Sequence, residues 1–187
     1  MSDALASRFR ADILRNRHNR AILDRWAELA LPDGWLVAGC LFQTIWNLQA
    51  GRAPESGIQD YDLFYFDAGD LGAAAERAVQ ARCEAVLGDL GVVIEVVNQA
   101  RVHLWYEADF GQPRAPVESS RESIARFLVC STCVGVAPDA LHAPHGLAAL
   151  YRGELAPNPL TPHRALFEAK AASYQARWPA LTILAGG

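Results

Sequence analysis

The sequence has no excess of positive charge. Its 17 lysine and arginine residues are outnumbered by 21 aspartate and glutamate residues, which gives a formal net charge of −4. A protein that holds nucleic acid non-specifically through phosphates depends on a broad basic field. The composition therefore offers no evidence for DNA binding, although a local basic patch remains compatible with it.

Long apolar runs are also missing. Residues 1–18 mix charged side chains with short apolar steps and contain no uninterrupted apolar segment typical of a secretory signal. No later stretch approaches the length of about 20 apolar residues that spans a membrane. We expect a cytoplasmic protein that does not enter a membrane.

Cysteine is sparse for a chain of 187 residues; the four are Cys40, Cys83, Cys130 and Cys133. A chain of this length, with 51% hydrophobic and 20% charged residues, can fold around a full core without disulfides. The pair Cys130 and Cys133 precedes two histidines, His142 and His145, a pattern similar to a zinc site. However, residues three apart on the strand expected there point to opposite faces, so core cysteines are the favoured interpretation.

Apolar periodicity predicts an α/β protein in which strands alternate with helices that pack on the sheet. Helices are expected at 4–31 (one long helix or a helical hairpin), 40–49, 71–87, 98–106, 120–127, 145–155 and 162–178, and strands at 35–38, 60–66, 92–97 and 128–136. We expect one domain, with an N-terminal helical segment over 1–31, a sheet core over 32–138 and a C-terminal helical extension over 139–187.

Three carboxylates fall on the strands expected at 60–66 and 92–97. Asp60 and Asp62 share one face of their strand because side chains alternate with a period of two. Carboxylate oxygens are ligands that Mg²⁺ and Mn²⁺ prefer, but two aspartates can also simply mark the start of a strand after a turn. Glu95, embedded among β-branched residues, needs a cation, hydrogen bonds or an exposed edge, and could complete a metal site with the aspartates.

A glycine stands at the turn from the first strand into the next helix. Gly39 would allow a phosphate to approach the backbone N–H groups at the positive end of that helix. The alternative is a glycine that only eases entry into the helix.

Several segments together resemble a known family. They are Ala38-Gly39-Cys40, the helix segment Thr44-Ile45-Trp46-Asn47, the run from Asp60 to Asp67, the run from Glu95 to Trp105, Ser131 to Val136, Ala143 to Leu147, Pro157-Asn158-Pro159, Lys170 and Trp178-Pro179. On these motifs the chain is similar to the bacterial nucleotidyltransferase-like family, a branch of the DNA polymerase beta-type nucleotidyltransferase superfamily. The likeness covers most of the chain after about residue 32, and its most specific part is the stretch 99–105.

The resemblance implies a nucleotidyltransferase-like mixed sheet flanked by helices. It also implies a site for Mg²⁺ or Mn²⁺ at Asp60, Asp62 and Glu95, with these residues catalytic, and a nucleotide-phosphate site near Gly39 and Cys40. The chain departs from the superfamily at this turn, since Cys40 replaces a second glycine or a serine.

Two further residues are predicted to contact the nucleotide because they follow the strand of Glu95. They are Asn98 and Arg101. Asn98 could instead cap a helix, and Arg101 could form a structural salt bridge. His103, nearby, is more typical of a hydrogen-bonded histidine at the edge of a core.

The leading hypothesis is transfer of a nucleoside monophosphate from a nucleoside triphosphate to an unknown acceptor, which could be a small molecule, a protein or RNA. The alternative is a catalytically inactive member of the same fold that binds a nucleotide or a protein. The segment Leu41-Phe42-Gln43 supports the alternative, because relatives tend to carry an arginine there. An enzyme similar to tRNA nucleotide-adding relatives is disfavoured by the net charge of −4 and the lack of a basic stripe.

Overall fold

A computed structural model describes residues 3–185 of the chain. Its helices are α1 (Asp3–Ile13), α2 (Arg17–Asp24), α3 (Trp26–Leu29), α4 (Gly39–Gln49), α5 (Ala73–Leu87), α6 (Tyr106–Phe110), α7 (Ser120–Ala125), α8 (Ala148–Arg152) and α9 (Arg164–Arg177). Its strands are β1 (Trp35–Val37), β2 (Asp60–Tyr65), β3 (Val93–Asn98), β4 (Gly135–Ala137), β5 (Ala140–His142), β6 (Glu154–Leu155) and β7 (Thr182–Ile183). Short 3₁₀ turns cover Gly88–Leu90, Gln99–Leu104 and Cys130–Thr132.

The main sheet has five strands in the order β3-β2-β1-β4-β5. Strands β2 and β3 run parallel, whereas β1 is antiparallel to both of its neighbours. Helix α5 connects β2 to β3, as a parallel pair requires a crossover. This is a mixed sheet flanked by helices, which confirms the fold class expected from the sequence.

The two faces of the sheet are covered differently. One face contributes Leu36, Leu63 and Val136 to a large core that includes residues of α1, α4, α5 and α9. The other face contributes Trp35 and Val37 to a small cluster with α7. The second face is thus only partly covered, and the acidic residues of β2 lie on it.

The N-terminal segment is not one long helix but three shorter helices. Asn16 is buried and separates α1 from α2, because its side-chain oxygen accepts hydrogen bonds from the backbone N–H groups of His18 and Asn19 at 3.0 and 3.4 Å. Its amide also donates to the Thr44 hydroxyl at 3.1 Å. On the new helix, the side-chain amide of Asn19 donates to the carbonyl of Cys40 on α4 at 2.9 Å.

The prediction of a strand over 128–136 is largely wrong. Only Gly135–Ala137 of it joins the sheet, and Cys130–Thr132 forms a 3₁₀ turn. The amide of Asn158 donates to the carbonyls of Ala125 and Phe127 at 2.7 Å each, so this segment is tied to a loop rather than to a strand.

The C-terminal part is not purely helical. Strand β5 extends the main sheet beyond residue 138, and β6 pairs in parallel with β7 in a second, two-stranded sheet. These strands are two or three residues long, too short for a period-two pattern to reveal them. Within residues 3–185, none of the helices is both long enough and apolar enough to cross a membrane.

Candidate active site

Asp60 and Asp62 share one face of β2, as predicted. Along this strand partly exposed and buried residues alternate, and Tyr61 and Leu63 point into the main core. Asp62 is paired in register with Val37 of β1 on one side and with Glu95 of β3 on the other. The three carboxylates therefore belong to one face of adjoining strands.

The surroundings of Asp62 disfavour the ionised form of its carboxyl group. Burial, followed by the negative charges of Asp60 and Glu95, raises its pKa from 3.8 to about 7, while the ammonium group of Lys170 acts in the opposite direction. Negative charge is thus concentrated where a cation would relieve it. Within residues 3–185, however, there is no group of three or more His, Cys, Asp or Glu side chains arranged to hold a metal ion.

The turn between β1 and α4 lies beside Asp62. Ala38 has φ 60° and ψ −140°, a conformation that favours glycine, and α4 begins at the next residue, Gly39. A Cβ atom on Gly39 would stand 2.5 Å from the side-chain nitrogen of Gln43. Gly39 thus leaves room for Gln43 at the start of the helix.

Cys40 does not present its side chain at this turn. The thiol is fully buried, donates to the carbonyl of Val37 at 3.1 Å, and has a pKa raised by burial and by Asp62. The prediction that Cys40 contacts a nucleotide can therefore hold only for its backbone.

A cavity of about 540 Å³ opens over the aspartates, within the size range of small-molecule sites. It is lined by residues from the β1–α4 turn, β2, α9 and the segment between α6 and β4. They are Ala38, Gly39, Phe42, Gln43, Gln59, Asp60, Asp62, Phe64, Tyr106, Arg114, Arg126, Phe127, Leu128, Val129, Thr132, Lys170, Ser173, Tyr174 and Arg177. Glu95 is exposed and lies outside this lining.

Helix α9 supplies a basic wall opposite the aspartates. Lys170, Ser173, Tyr174 and Arg177 all line the cavity and lie on one helical face, since they are three, four and seven residues apart. Arg177 donates to the side-chain oxygen of Gln43 at 2.9 Å. Among the ion pairs formed within residues 3–185, none includes Lys170 or Arg177. Arg177 also donates to the carbonyl of Gly57 at 2.6 Å, and Lys170 is near enough to Asp62 to lower the pKa of its carboxyl group.

Aromatic packing holds α9 in this position. The ring of Tyr174 contacts the rings of Phe42 and Trp46 on α4, each at a centroid distance of 5.4 Å. Trp178 follows α9, packs on Trp46 at 5.4 Å and donates from its indole N–H to Asn47 at 3.0 Å. The basic wall is therefore fixed to the same helix whose first turn faces the cavity.

Asn98 and Arg101, predicted to contact the nucleotide, do not line the cavity, and both side chains are hydrogen-bonded within the protein. The buried Asn98 side chain accepts from the N–H groups of Asp67 and Ala100 and donates to the carbonyl of Asp67, at 2.8 to 3.1 Å. Arg101 forms an ion pair with Glu76 and donates to the carbonyl of Leu71 at 3.2 Å. Asn98 thus caps the turn after β3 and Arg101 forms a salt bridge, which are the alternatives that the sequence left open for each of them.

The histidines and paired cysteines lie apart from the cavity. The thiols of Cys130 and Cys133 donate to backbone carbonyls, and His145 is exposed. The ring of His142 contacts Trp35 at 6.0 Å, and burial lowers its pKa. His103 has a buried ring nitrogen without a hydrogen-bond partner within residues 3–185.

Sequence reasoning missed the basic wall. The spacing of Lys170, Ser173, Tyr174 and Arg177 was a usable signal, since it places polar side chains on one side of the helix expected at 162–178. Nothing in the sequence says that this side faces Asp60 and Asp62.

The fold is shared with a solved NMR structure described as revealing a CCA-adding enzyme head domain. The two superpose with a TM-score of 0.73 at 22% sequence identity, over 89% of each chain. No curated protein matches the chain. A family model described as nucleotidyltransferase matches residues 24–183, which is most of the chain. This match confirms the resemblance drawn from the motifs, and the protein belongs to this nucleotidyltransferase family.

Proposed function

We propose that the protein moves a nucleoside monophosphate from a nucleoside triphosphate to an acceptor, with Asp60 and Asp62 holding Mg²⁺ or Mn²⁺. The observation that carries the proposal is the pairing of two walls across one cavity. Two carboxylates stand on β2, and Lys170 and Arg177 of α9, neither of which forms an ion pair within the described residues, line the same cavity. A metal-bound triphosphate presents the complementary charges.

The carboxylate side fits a hard divalent cation. Oxygen ligands suit Mg²⁺ and Mn²⁺, and the raised pKa of Asp62 reflects negative charge that such an ion would neutralise. Glu95 is adjacent to Asp62 in register, and we assign it as the third carboxylate. A bound ion would supply charge neutralisation for the phosphates.

The basic side fits the triphosphate. Lys170 and Arg177 would contact non-bridging oxygens through charge-assisted hydrogen bonds. The N–H groups of Gly39 and Cys40, at the start of α4, have no carbonyl of their own helix to bond, and Gly39 lines the cavity. Together these groups would orient the α-phosphate toward the acceptor.

The reaction is an in-line displacement. The acceptor oxygen forms a bond to the α-phosphorus, the bond from that phosphorus to the α–β bridging oxygen breaks, and pyrophosphate leaves with the electron pair. We assign the acceptor proton to a carboxylate that lines the cavity, Asp60 or Asp62, which would act as general base; Glu95, predicted for this role, is exposed and lies outside the lining.

The test is a double variant that keeps size and removes charge. Asp60→Asn/Asp62→Asn should lose manganese-dependent binding of a nucleoside triphosphate by calorimetry and lose release of pyrophosphate. Asp139→Asn, at an exposed position, is the matched control and should keep both. Unchanged binding and turnover in the double variant, with thermal unfolding showing a folded protein, would refute the site.

An inactive nucleotide-binding member of the family is the second candidate. It is favoured by the β1–α4 turn, where Cys40 buries its thiol and Leu41 is fully buried, so neither offers a polar side chain to a phosphate. Nucleotide binding with Asp60 and Asp62 intact, but no pyrophosphate release with any of the four triphosphates and a lysate fraction as acceptor source, would support it.

A further inference from the structure

A second cavity adjoins the one over the aspartates. It measures about 320 Å³ and shares Tyr106, Arg114 and Arg126 with the larger cavity. Its remaining lining consists of Pro113, Ala115, Leu160, Thr161 and His163. The two arginines therefore stand at the junction of two connected spaces.

The side chain of Arg114 hydrogen-bonds to the neutral hydroxyl of Tyr106 rather than to a carboxylate. It is only partly exposed, and burial lowers its pKa, with a smaller contribution from the guanidinium of Arg126, whereas Tyr106 and Glu122 act in the opposite direction. Its guanidinium lies over the ring of Tyr106 at 4.9 Å. Of the ion pairs within the described residues, none contains Arg114, whereas Arg126 pairs with Glu122.

Glu122 pairs with Arg126, but one carboxylate beside two guanidinium groups leaves a net positive charge in the cavity wall, which a bound anion would offset. In the proposed function, Lys170 and Arg177 of α9 already bind the triphosphate. The charge at Arg114 thus matches a second anion, on the part of the cavity that leads away from the aspartates.

We propose that the acceptor is a small phosphorylated molecule whose phosphate is bound by Arg114 and Arg126 at the junction of the two cavities. The proposal rests on the proposed function, since it names the class of the acceptor. A phosphate monoester has three terminal oxygens, which suits two guanidinium forks better than the two oxygens of a carboxylate. The smaller cavity would take the uncharged remainder of the acceptor, against Leu160, Thr161 and His163.

The volume of that cavity favours a small molecule over a polymer. A space of about 320 Å³ is at the lower end of ligand sites. A nucleic-acid strand would instead need a groove with several cations along it. Beyond the two shared arginines, the lining of the smaller cavity contains no lysine or arginine.

The test measures the affinity of the full chain for phosphate and its affinity for nucleotide separately. Inorganic phosphate and ribose 5-phosphate, each with ribose as the uncharged comparison, are titrated in the presence of Mg²⁺ and a saturating non-hydrolysable ATP analogue. Arg114→Gln should weaken phosphate binding by about tenfold or more and leave affinity for the analogue within about twofold. Arg114→Lys, which keeps the charge but loses the two-pronged guanidinium group, should bind phosphate with an affinity between those of the parent protein and Arg114→Gln.

Matched variants separate this proposal from the proposed function. Arg164→Gln, an exposed arginine paired with Glu168, should change neither affinity. Asp60→Asn/Asp62→Asn should lose metal-dependent nucleotide binding yet keep phosphate binding in the absence of nucleotide. If the double variant instead keeps both nucleotide binding and turnover, the metal site is rejected, whereas the acceptor site still stands as long as Arg114→Gln weakens phosphate binding.

Three results would overturn the acceptor site. The first is competition between inorganic phosphate and the ATP analogue, with Arg114→Gln weakening both, because Arg114 would then belong to the donor site. The second is equal affinity for ribose and ribose 5-phosphate. The third is tight, Arg114-dependent binding of a 12-nucleotide single-stranded RNA by a protein that binds neither inorganic phosphate nor ribose 5-phosphate.

Discussion

The acidic and basic walls of the cavity differ in how the chain encodes them. The acidic wall lies within three consecutive residues, Asp60 to Asp62, and the alternation of a strand is enough to place both carboxylates on one face. The basic wall belongs to a helix more than 100 residues later, which reaches the cavity only because Tyr174 and Trp178 pack on α4. A local pattern can thus reveal one wall of a site, whereas the other depends on tertiary packing.

The largest expected effect concerns the destabilisation of the folded protein by the buried negative charge of Asp62. Asp62→Asn should raise the free energy of unfolding by up to about 4 kcal/mol at pH 8.5 in metal-free buffer, because a shift of the pKa from 3.8 to about 7 makes the buried charge destabilising. Urea denaturation of both proteins at several pH values measures this difference.

The sign of the pH dependence follows from the raised pKa. Below pH 3.8 Asp62 is protonated in both the folded and the unfolded state, so its charge costs nothing. Between pH 3.8 and about 7 only the unfolded state releases the proton, and the stability of the parent falls as pH rises. The advantage of the variant should therefore shrink toward zero near pH 4. An advantage that is the same at pH 4 and pH 8.5 would contradict the electrostatic origin, and Asp139→Asn, at an exposed position, should show none.

The next effect tests the basic wall. Lys170→Met should weaken binding of a nucleoside triphosphate with Mg²⁺ by about 10- to 100-fold, since one charge-assisted contact contributes about 1.5–3 kcal/mol. Arg164→Met, on the same helix but paired with Glu168 at its exposed surface, is the control. If isothermal titration calorimetry gives equal affinities for the two variants, α9 does not bind the triphosphate.

A third prediction separates structural from functional polar groups. Asn98→Ala should lower the free energy of unfolding by about 1–3 kcal/mol, because it removes buried hydrogen bonds to Asp67 and Ala100. Nucleotide affinity of the folded protein should be unchanged. A loss of affinity without a loss of stability would place Asn98 back in the site.

The smallest effect is at the turn between the walls. Ala38→Gly should stabilise the protein by about 1 kcal/mol, since relief of a strained conformation outweighs the entropy cost of glycine. Ala78→Gly, at an exposed position inside α5, should instead destabilise it by about 1 kcal/mol. Equal changes in melting temperature for the two variants would show that the turn is unstrained.

The sequence predicted the elements whose patterns are strong and local. Strand β2 alternates cleanly, and α4 and α5 are bounded by glycines, so their limits were found within a few residues. The sequence left one long helix and a helical hairpin open over 4–31; Asn16 decides between them by capping His18 and Asn19, and Thr44 on another helix holds its side chain in place. The segment 128–136 is β-branched in composition, yet its first half turns away because Asn158 binds its neighbouring carbonyls. In each case a distant partner overrides the local preference.

The candidate site shows the same contrast between residues that a local pattern identifies and residues whose position depends on tertiary packing. Asp60, Asp62 and Gly39 were identified from spacing, and the structure brings them to one cavity. Asn98 and Arg101 were assigned to the nucleotide because they follow the strand of Glu95, but their partners are Asp67 and Glu76. Position after a strand does not distinguish a group that faces the cavity from one that closes a turn.

The most direct test of the site is a crystal of the protein with Mn²⁺ and a non-hydrolysable ATP analogue, examined for anomalous scattering from manganese. The account predicts a peak within about 2.0–2.3 Å of carboxylate oxygens of both Asp60 and Asp62, with the triphosphate between this ion and Lys170. A nucleotide bound elsewhere on the protein, or a manganese peak that contacts neither aspartate, would contradict it.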